Sequence, residues 1–424
     1  MKTTILATLL LLHAASAPAA TLTLADALAS AAKGNPALRV AAYDPQLAEE
    51  DIRLNRSGYL PRVDIQGGYT AQLEPQSITV TSDSTTNSIA TQQSDYGFLN
   101  LAIYQTLYDF GRTDSRYERA KTNRDAAEFG YRGQEQGTFL QVVTAYFSIL
   151  QRQKLAQAAE EEVRQMTDHL RVAQSLYEQG VVTRNDLLQA EVRLASSNQR
   201  RLDYANRLTN AWLTLNHLTG AAPDYRGELV EETRLGAAQF SAPAPEAIAG
   251  RAELKAQRKL LEGNELTVKE SKSDFYPELY AKLALDYVEN DRVKEQAIMA
   301  ATVGLKVNIF DGLAGSSRLQ QAVINRSRAN ERLRELEAEL ALEYRTAVND
   351  ALVASQRIGV TEASIRSGEE NLRINRDRYE EQVGTATDVI DAQTLLTQIK
   401  TEHFQALFDF QVALARVKHA RGEL

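Results

Sequence analysis

Two aspartates near the end of the chain could do chemistry together. Asp388 and Asp391 are three residues apart, so they lie on one face of a helix. In a closed ring of several chains they would form a cluster of carboxylates, which would attract cations and raise its own pKa. The alternative is that Asp388 caps the start of a helix and Asp391 is solvated, because helix starts favour aspartate. The sequence alone leaves both readings open.

No other set of residues predicts a reaction. There is no cysteine, which excludes disulfides, thiol catalysis, cysteine metal sites and a lipoprotein anchor. There is also no Gly-rich phosphate loop and no HExxH motif. The histidines are scattered, so we expect solvated or packing roles for them: His13, His169, His217, His403 and His419. The sequence therefore predicts a protein that is not an enzyme and has no cofactor or metal site.

The composition is that of a polar, exported chain. A mean hydropathy of −0.37 is low for 424 residues and suggests long helices with solvated faces, while a net charge of −8 argues against nucleic acid as a partner. Lys2 and the apolar run ILATLLLL predict a signal peptide over residues 1–19, cleaved after Ala19. No later stretch has the 18 apolar residues of a transmembrane helix.

The chain contains two related halves. A shift of 202 residues superposes matching residues over about 85 positions, among them Tyr177 on Tyr379 and Asp186 on Asp388. Upstream the shift becomes 216, because the first half has an extra Ser/Thr/Gln-rich segment, EPQSITVTSDSTTNSIATQQSDYG, interpreted as a loop. We expect repeats at 20–220 and 247–424, joined by an irregular linker at 221–246.

Long helices are predicted from the proline distribution and the apolar spacing. No proline lies between Pro75 and Pro223 or after Pro277. Narrow apolar stripes with steps of three and four residues are typical of coiled-coil-like packing. The predicted helices are two short ones, 36–57 and 251–273, and four long ones, about 112–179, 183–220, 313–382 and 385–421.

Between the short and the long helices the apolar period changes from 3.6 to 2. Four strands are predicted, at about 61–72, 97–107, 277–288 and 298–310. One face is apolar and the other polar, as in a transmembrane barrel with a wet lumen, although a soluble sheet packed on helices is the alternative. Four strands leave two open edges, so the membrane reading requires oligomers. Three copies would give twelve strands and twelve helix columns, and two or four copies could also close.

The strand-to-helix junctions have related sequences, LYDFG at 107–111 and IFDG at 309–312. Asp109 and Asp311 precede the long helices and are candidate caps. Gly111 and Gly312 are expected to allow the sharp change of direction.

These junctions, together with YEQGVVTRNDLLQA, YEEQVGTATDVIDAQ, GYLPRVDI, FYPELYAK and the opening LTLADALASAAKGNPAL, resemble TolC-like outer-membrane channel proteins. The resemblance covers essentially the whole mature chain. It implies a homotrimer with a 12-stranded β-barrel in outer-membrane lipid and a 12-helix barrel in the periplasm. It also implies an exit duct for drug efflux or type I secretion, served by a periplasmic adaptor and an inner-membrane pump or ABC exporter. The alternative from another class is a structural or adhesive coiled-coil surface protein without a pore.

The same resemblance implies roles for the hairpin ends. Asp388 and Asp391 would constrict the periplasmic entrance, and Asp186 would latch it by pairing with an arginine in the second turn. Ala386 lies near where that arginine would be, so Arg184 is the candidate replacement. The tips that would meet the adaptor are Gly180, Val181, Val182, Val383, Gly384 and Thr385. The preference of helix-ending turns for glycine explains Gly180 and Gly384 equally well, without any contact to an adaptor.

Overall fold

A computed structural model describes residues 21–82, 85–231, 244–381 and 383–424. The predicted signal peptide, 1–19, lies outside these residues. The chain divides into two compact units. One comprises the described parts of Met1–Ala41, Gln134–Arg251 and Glu339–Leu424, and the other comprises those of Ala42–Gly133 and Ala252–Ala338.

Most of the described chain is helical. The helices are α1 (Leu24–Gly34), α2 (Pro36–Ala41), α3 (Tyr43–Arg56), α4 (Arg112–Glu178), α5 (Arg184–Thr219), α6 (Ala244–Ala247), α7 (Ala252–Ser273), α8 (Ala314–Glu380) and α9 (Ala386–Arg421). The strands are β1 (Thr21–Leu22), β2 (Arg62–Ala71), β3 (Ser77–Ser82), β4 (Thr85–Ala90), β5 (Asp95–Tyr108), β6 (Glu228–Leu229), β7 (Glu278–Val288) and β8 (Ala297–Lys306). The corresponding long helices of the two halves are equal in length, at 67 residues for α4 and α8 and 36 for α5 and α9.

The ends of the returning helices α5 and α9 are fixed by local chemistry. Each begins with a capping box, in which a threonine and the aspartate three residues later bond each other's backbone N–H groups. Each ends at a glycine in the left-handed conformation, Gly220 at φ 71° and Gly422 at φ 73°. Both halves therefore start and stop these helices with the same residue types.

Four strands form one antiparallel sheet in the order β2-β5-β7-β8. One face is apolar and open to solvent in the single chain, with Ile65, Met299 and Val303 all more than 70% exposed. The other face bears polar residues such as Asp64, Asn100, Lys282 and Asp286. Within the described residues, β2 and β8 each pair along one edge only.

Several predicted boundaries were wrong. The Ser/Thr-rich segment is not wholly a loop, because β3 and β4 pair in it as an antiparallel hairpin. The short helix predicted at 36–57 is broken at Ala42, ends in a 3₁₀ turn, and is preceded by α1, which was not predicted. The last strand ends at Lys306 rather than at residue 310. The linker is not fully irregular, because β6 pairs in parallel with β1.

The core of the first unit surrounds the middle of α4. Tyr146, Phe147 and Ile149 are fully buried there and pack with Trp212 and Leu215 of α5. The Tyr146 hydroxyl lies 2.9 Å from the carbonyl oxygen of Leu22 and 2.7 Å from that of Val230. It therefore ties the β1–β6 pair to α4.

Candidate channel entrance and strand-to-helix junctions

The first hairpin tip joins α4 to α5. Gly180 has a φ of 72°, which only glycine adopts without strain, and the Val181 N–H donates to the Leu176 carbonyl at 2.9 Å. The Thr183 N–H donates to Asp186 Oδ2 at 2.9 Å, and the Asp186 N–H donates to Thr183 Oγ1 at 3.3 Å. The exposed apolar residue of this turn is Val181, with Val182 partly covered.

The second tip, from α8 to α9, uses its glycine differently. Gly384 is not in the left-handed region, but a Cβ there would lie 3.1 Å from the Cβ of Arg378. The N–H groups of Val383 and Gly384 both donate to the Arg378 carbonyl. The Thr385 N–H donates to Asp388 Oδ2 at 3.0 Å. The first glycine therefore serves backbone conformation, and the second serves close packing.

The capping boxes determine the electrostatics of both tips. Hydrogen bonds from the Thr183 side chain and backbone lower the pKa of Asp186. The pKa of Asp388 is lowered by bonds from the Thr385 backbone and side chain, and then by the charge of Arg378. In the single chain this is the opposite of the rise expected in a carboxylate ring. Asp391 is exposed on the same helix.

The structure does not bring the proposed latch partners together within one chain. Arg184 is exposed as the first residue of α5, and it forms no ion pair with any described residue. The residue that approaches Asp186 is Tyr379 of α8. Burial and then the Asp186 charge raise the pKa of Tyr379, and its hydroxyl has no hydrogen-bond partner in the described chain. Sequence reasoning missed Tyr379, although the repeat pairs it with Tyr177.

The first strand-to-helix junction has two successive left-handed residues, Phe110 at φ 56° and Gly111 at φ 87°. Asp109 is buried, and its Oδ2 accepts from the Thr113 N–H at 2.8 Å and from the Thr113 hydroxyl at 2.6 Å. The carboxylate thus supplies a partner to a first-turn N–H group of α4 that has none within the helix.

The second junction repeats this geometry with the glycine moved by one position. Gly312 and Leu313 are left-handed, at φ 69° and 72°. Asp311 Oδ2 accepts from the Gly315 N–H at 2.7 Å. Each junction therefore holds one non-glycine residue in the left-handed region, Phe110 at the first position of one and Leu313 at the second position of the other, and the backbone is strained at that residue.

The histidines of the described chain lie apart from one another. His403 contacts the Thr361 hydroxyl at 3.0 Å, His419 contacts Glu343 at 3.0 Å, and burial lowers the pKa of His169. His217 is in the last turn of α5, and His13 lies outside the described residues. No group of three or more metal-ligating side chains occurs in the part of the chain that the structure describes. None of the described helices is both long and apolar enough to cross a membrane.

Long helical hairpins combined with a four-stranded antiparallel sheet that is apolar on one face place this chain in the class of outer-membrane export channels. The family model described as "Outer membrane efflux protein" matches residues 27–221 and 244–423, and the chain belongs to this family. The resemblance to TolC-like proteins is therefore confirmed, together with an outer-membrane location. Proteins of this family are not enzymes.

Two curated relatives illustrate the range of this similarity. The chain is 22% identical to the alkaline protease secretion protein AprF of Pseudomonas aeruginosa, over 95% of this chain and 84% of that one. It is 24% identical to the outer membrane efflux protein BepC of Brucella suis, over 95% and 86% of the two chains. Among solved structures, the outer membrane protein VceC of Vibrio cholerae has a TM-score of 0.81 at 18% identity, covering 94% of this chain and 96% of that one. This last comparison shows that the fold is shared.

Proposed function

We propose that three copies of the chain form one closed tunnel, on the basis of the sheet edges. The four strands alternate in direction, so β2 and β8 run opposite ways, and β8 of one copy can pair antiparallel with β2 of the next. Membrane barrels have at least eight strands, and three copies supply twelve. The two open edges are the single observation that carries this proposal.

The two faces of the sheet support a position in the membrane. Val63, Ile65 and Met299 are at least 60% exposed in the single chain, which costs free energy in water and none in lipid. The opposite face carries the charged and amide side chains. With the apolar face toward outer-membrane lipid, the polar face lines a water-filled lumen.

The long hairpins then form a periplasmic tunnel of twelve helix columns that leads to the barrel. The chain acts in this assembly as the passive exit duct of a tripartite drug efflux pump or a type I secretion system. The relatives support both cargo classes, since one is named as a protease secretion protein and the other as an efflux protein. A periplasmic adaptor and an inner-membrane pump or ABC exporter are the partners this role requires.

The hairpin tips form the periplasmic entrance in this arrangement. Asp388 and Asp391 from three copies place six carboxylates around one opening, which favours cations. Capping by Asp388 does not compete with this role, because a carboxylate has two oxygens and the hydrogen bond from the Thr385 N–H uses Oδ2. Asp186 and Arg184 belong to the same rim, where an ion pair between neighbouring copies would hold it closed. The adaptor would contact the two turns, at 180–182 and 383–385.

Planar-bilayer recording of the purified protein tests this function. We expect a trimer that resists mild detergent and forms cation-preferring channels. The double variant Asp388→Ala with Asp391→Ala should raise conductance and lower the cation preference. Asp168→Ala, an exposed aspartate of α4, is the matched control and should change neither.

Two results would count against the proposal. A protein that forms no channels and no closed oligomer supports the structural or adhesive alternative instead. If the protein forms channels but the double variant does not change their ion selectivity, Asp388 and Asp391 do not line the entrance. The proposal that the chain is an exit duct would still stand.

A further inference from the structure

Two glycines of the sheet lie beneath aromatic rings from neighbouring strands. Gly304 of β8 is opposite Tyr280 of β7, and Gly68 of β2 is opposite Phe98 of β5. A Cβ on Gly304 would lie 2.5 Å from Cζ of Tyr280 and 2.6 Å from its hydroxyl oxygen. A Cβ on Gly68 would lie 2.7 Å from Cε1 of Phe98. Each ring therefore occupies the space that a side chain on the facing strand would fill.

Both rings are on the polar face. Tyr280 shares a face of β7 with Lys282 and Asp286, and Phe98 shares a face of β5 with Asn100. The Tyr280 ring also stacks on Tyr104, with centroids 5.3 Å apart and planes 23° from parallel. The aromatic pair therefore lies along the sheet rather than standing out from it.

A neighbouring glycine shows that this crowding is specific to the polar face. Gly67 precedes Gly68 in β2 but points to the apolar face. A Cβ on Gly67 would lie 3.5 Å from Cδ1 of Leu99, which is an ordinary contact. Valine at position 67 would therefore be accommodated, whereas valine at position 68 or 304 would collide with a ring.

We propose that Gly304 and Gly68 set the width of the lumen by letting Tyr280 and Phe98 lie flat against the wall. This inference rests on the proposed function, in which the polar face lines the lumen. A side chain at position 304 pushes the Tyr280 ring away from the sheet, because the backbone of β7 and β8 blocks movement in the opposite direction. In three copies the rings move inward at one level, so the lumen narrows from three sides and excludes large solutes.

The absence of cysteine from the chain makes this testable with single thiols. Lys306 ends β8 two residues beyond Gly304 on the polar face, toward the helices. A reagent that enters from the outer side must pass Tyr280 to reach a thiol placed there by Lys306→Cys. A thiol placed by Gln66→Cys lies on the outer side of Tyr280 and serves as the reference.

The experiment measures modification of each thiol by methanethiosulfonate reagents of graded size, added to the outer side of the reconstituted trimer. Gly304→Val should slow the reaction of bulky reagents at position 306 by about tenfold or more, and leave position 66 unchanged. Adding Tyr280→Ala to Gly304→Val should restore the original rate. Gly67→Val is the matched control and should have no effect. Gly304→Ala carries the test if the valine variant does not assemble.

The outcomes separate this inference from the proposed function. If the unsubstituted protein conducts and Gly304→Val leaves the rate at position 306 unchanged, the glycines do not set the lumen width. If neither thiol reacts from the outer side in any variant and no conductance appears, the polar face does not line a lumen and the proposed function fails.

Discussion

The sharpest test of the fold is at a backbone contact in the first unit, where α1 and α5 both end. A Cβ on Gly220 would overlap the carbonyl oxygen of Gly34 and lie 2.8 Å from its carbonyl carbon. A Cβ on Gly34 would overlap the Thr219 carbonyl oxygen. Gly220 also has a φ of 71°. Because the obstructing atoms belong to the backbone, neither substitution can be relieved by a side-chain rotation.

The expected cost follows from these two terms. Gly220→Ala combines a left-handed penalty of about 1–2 kcal/mol with an overpacking penalty of about 1–3 kcal/mol, so we expect a loss of about 3 kcal/mol. Only the overpacking penalty applies to Gly34→Ala, so its free energy of unfolding should fall by about 1–3 kcal/mol.

The second half provides an internal comparison. A Cβ on Gly250 would lie 3.0 Å from the Arg421 carbonyl oxygen, and one on Gly422 would lie 3.2 Å from the carbonyl of Gly250. These contacts are looser, so Gly422→Ala should lower the free energy of unfolding mainly through the left-handed penalty, by about 1–2 kcal/mol. Gly250→Ala should lower it by less than that. Gly137, inside α4 with nothing within 4 Å, is the control, where alanine should be neutral or stabilising by up to about 1 kcal/mol.

The assay is urea unfolding of the purified protein in detergent micelles, followed by far-ultraviolet circular dichroism. Alanine should cause the largest loss of stability at position 220, and smaller losses in turn at positions 34, 422 and 250. If alanine at position 34 or 220 is tolerated as well as alanine at position 137, the close backbone approach does not exist and the reasoning is wrong.

Three further predictions use the same measurement. Asn35→Ala removes a buried side chain that donates to the Leu218 carbonyl and accepts from a backbone N–H of α2, and should cost about 1–3 kcal/mol. Burial opposes ionisation of Glu343, but the bond with His419 and the Arg251 charge outweigh it and lower the pKa below the ordinary value of 4.5. A lowered pKa stabilises the fold above pH 4.5, and this effect is lost as the pH falls through the folded value. Glu343→Gln should therefore destabilise the protein at pH 7, and the difference from the unsubstituted protein should shrink as the pH falls below 4.5. Asp109→Ala, which leaves a first-turn N–H of α4 without its acceptor, should cost about 1–2 kcal/mol, and a urea unfolding midpoint unchanged from that of the unsubstituted protein would rule out the cap.

The long helices could be predicted from the sequence because their signals are strong and local. Proline is absent from them, the apolar period is 3.6, and threonine–aspartate capping boxes mark the starts of α5 and α9. The observed ends of the four long helices lie within two residues of the expected ones. The β3–β4 hairpin was missed because its six facing pairs are mostly Ser, Thr and Asn, and the one aliphatic pair, Ile78 with Ile89, is too little to show a period of two.

The residues of the hairpin tips also divide into those whose role is local and could be predicted and those whose role depends on packing. The capping role of Asp388 could be predicted, because it depends on residues three positions away. The approach of Tyr379 to Asp186 could not, because it depends on how two hairpins pack, and the sequence gives no distance between them. The raised pKa expected for the carboxylates depends on other copies of the chain, so the single chain shows only the lowering by the local cap.

The close backbone contacts at the helix ends, Gly34 with Gly220 and Gly250 with Gly422, show what the duplication has kept and what it has changed. Gly34 and Gly250 are related by the shift of 216, and Gly220 and Gly422 by the shift of 202, so both halves use glycine where the backbones meet. The residue after the first glycine differs. Asn35 donates to the Leu218 carbonyl in one half, and Arg251 donates to the His419 carbonyl in the other. A backbone approach admits only glycine, whereas a carbonyl at a helix end accepts from any donor that reaches it. The glycines could therefore have been found by comparing the halves, and the donors could not.

The replacement of asparagine by Arg251 also leaves a buried charge at the second contact. Glu343 balances that charge, and a neutral glutamine, Gln141, stands at the matching position of the first half.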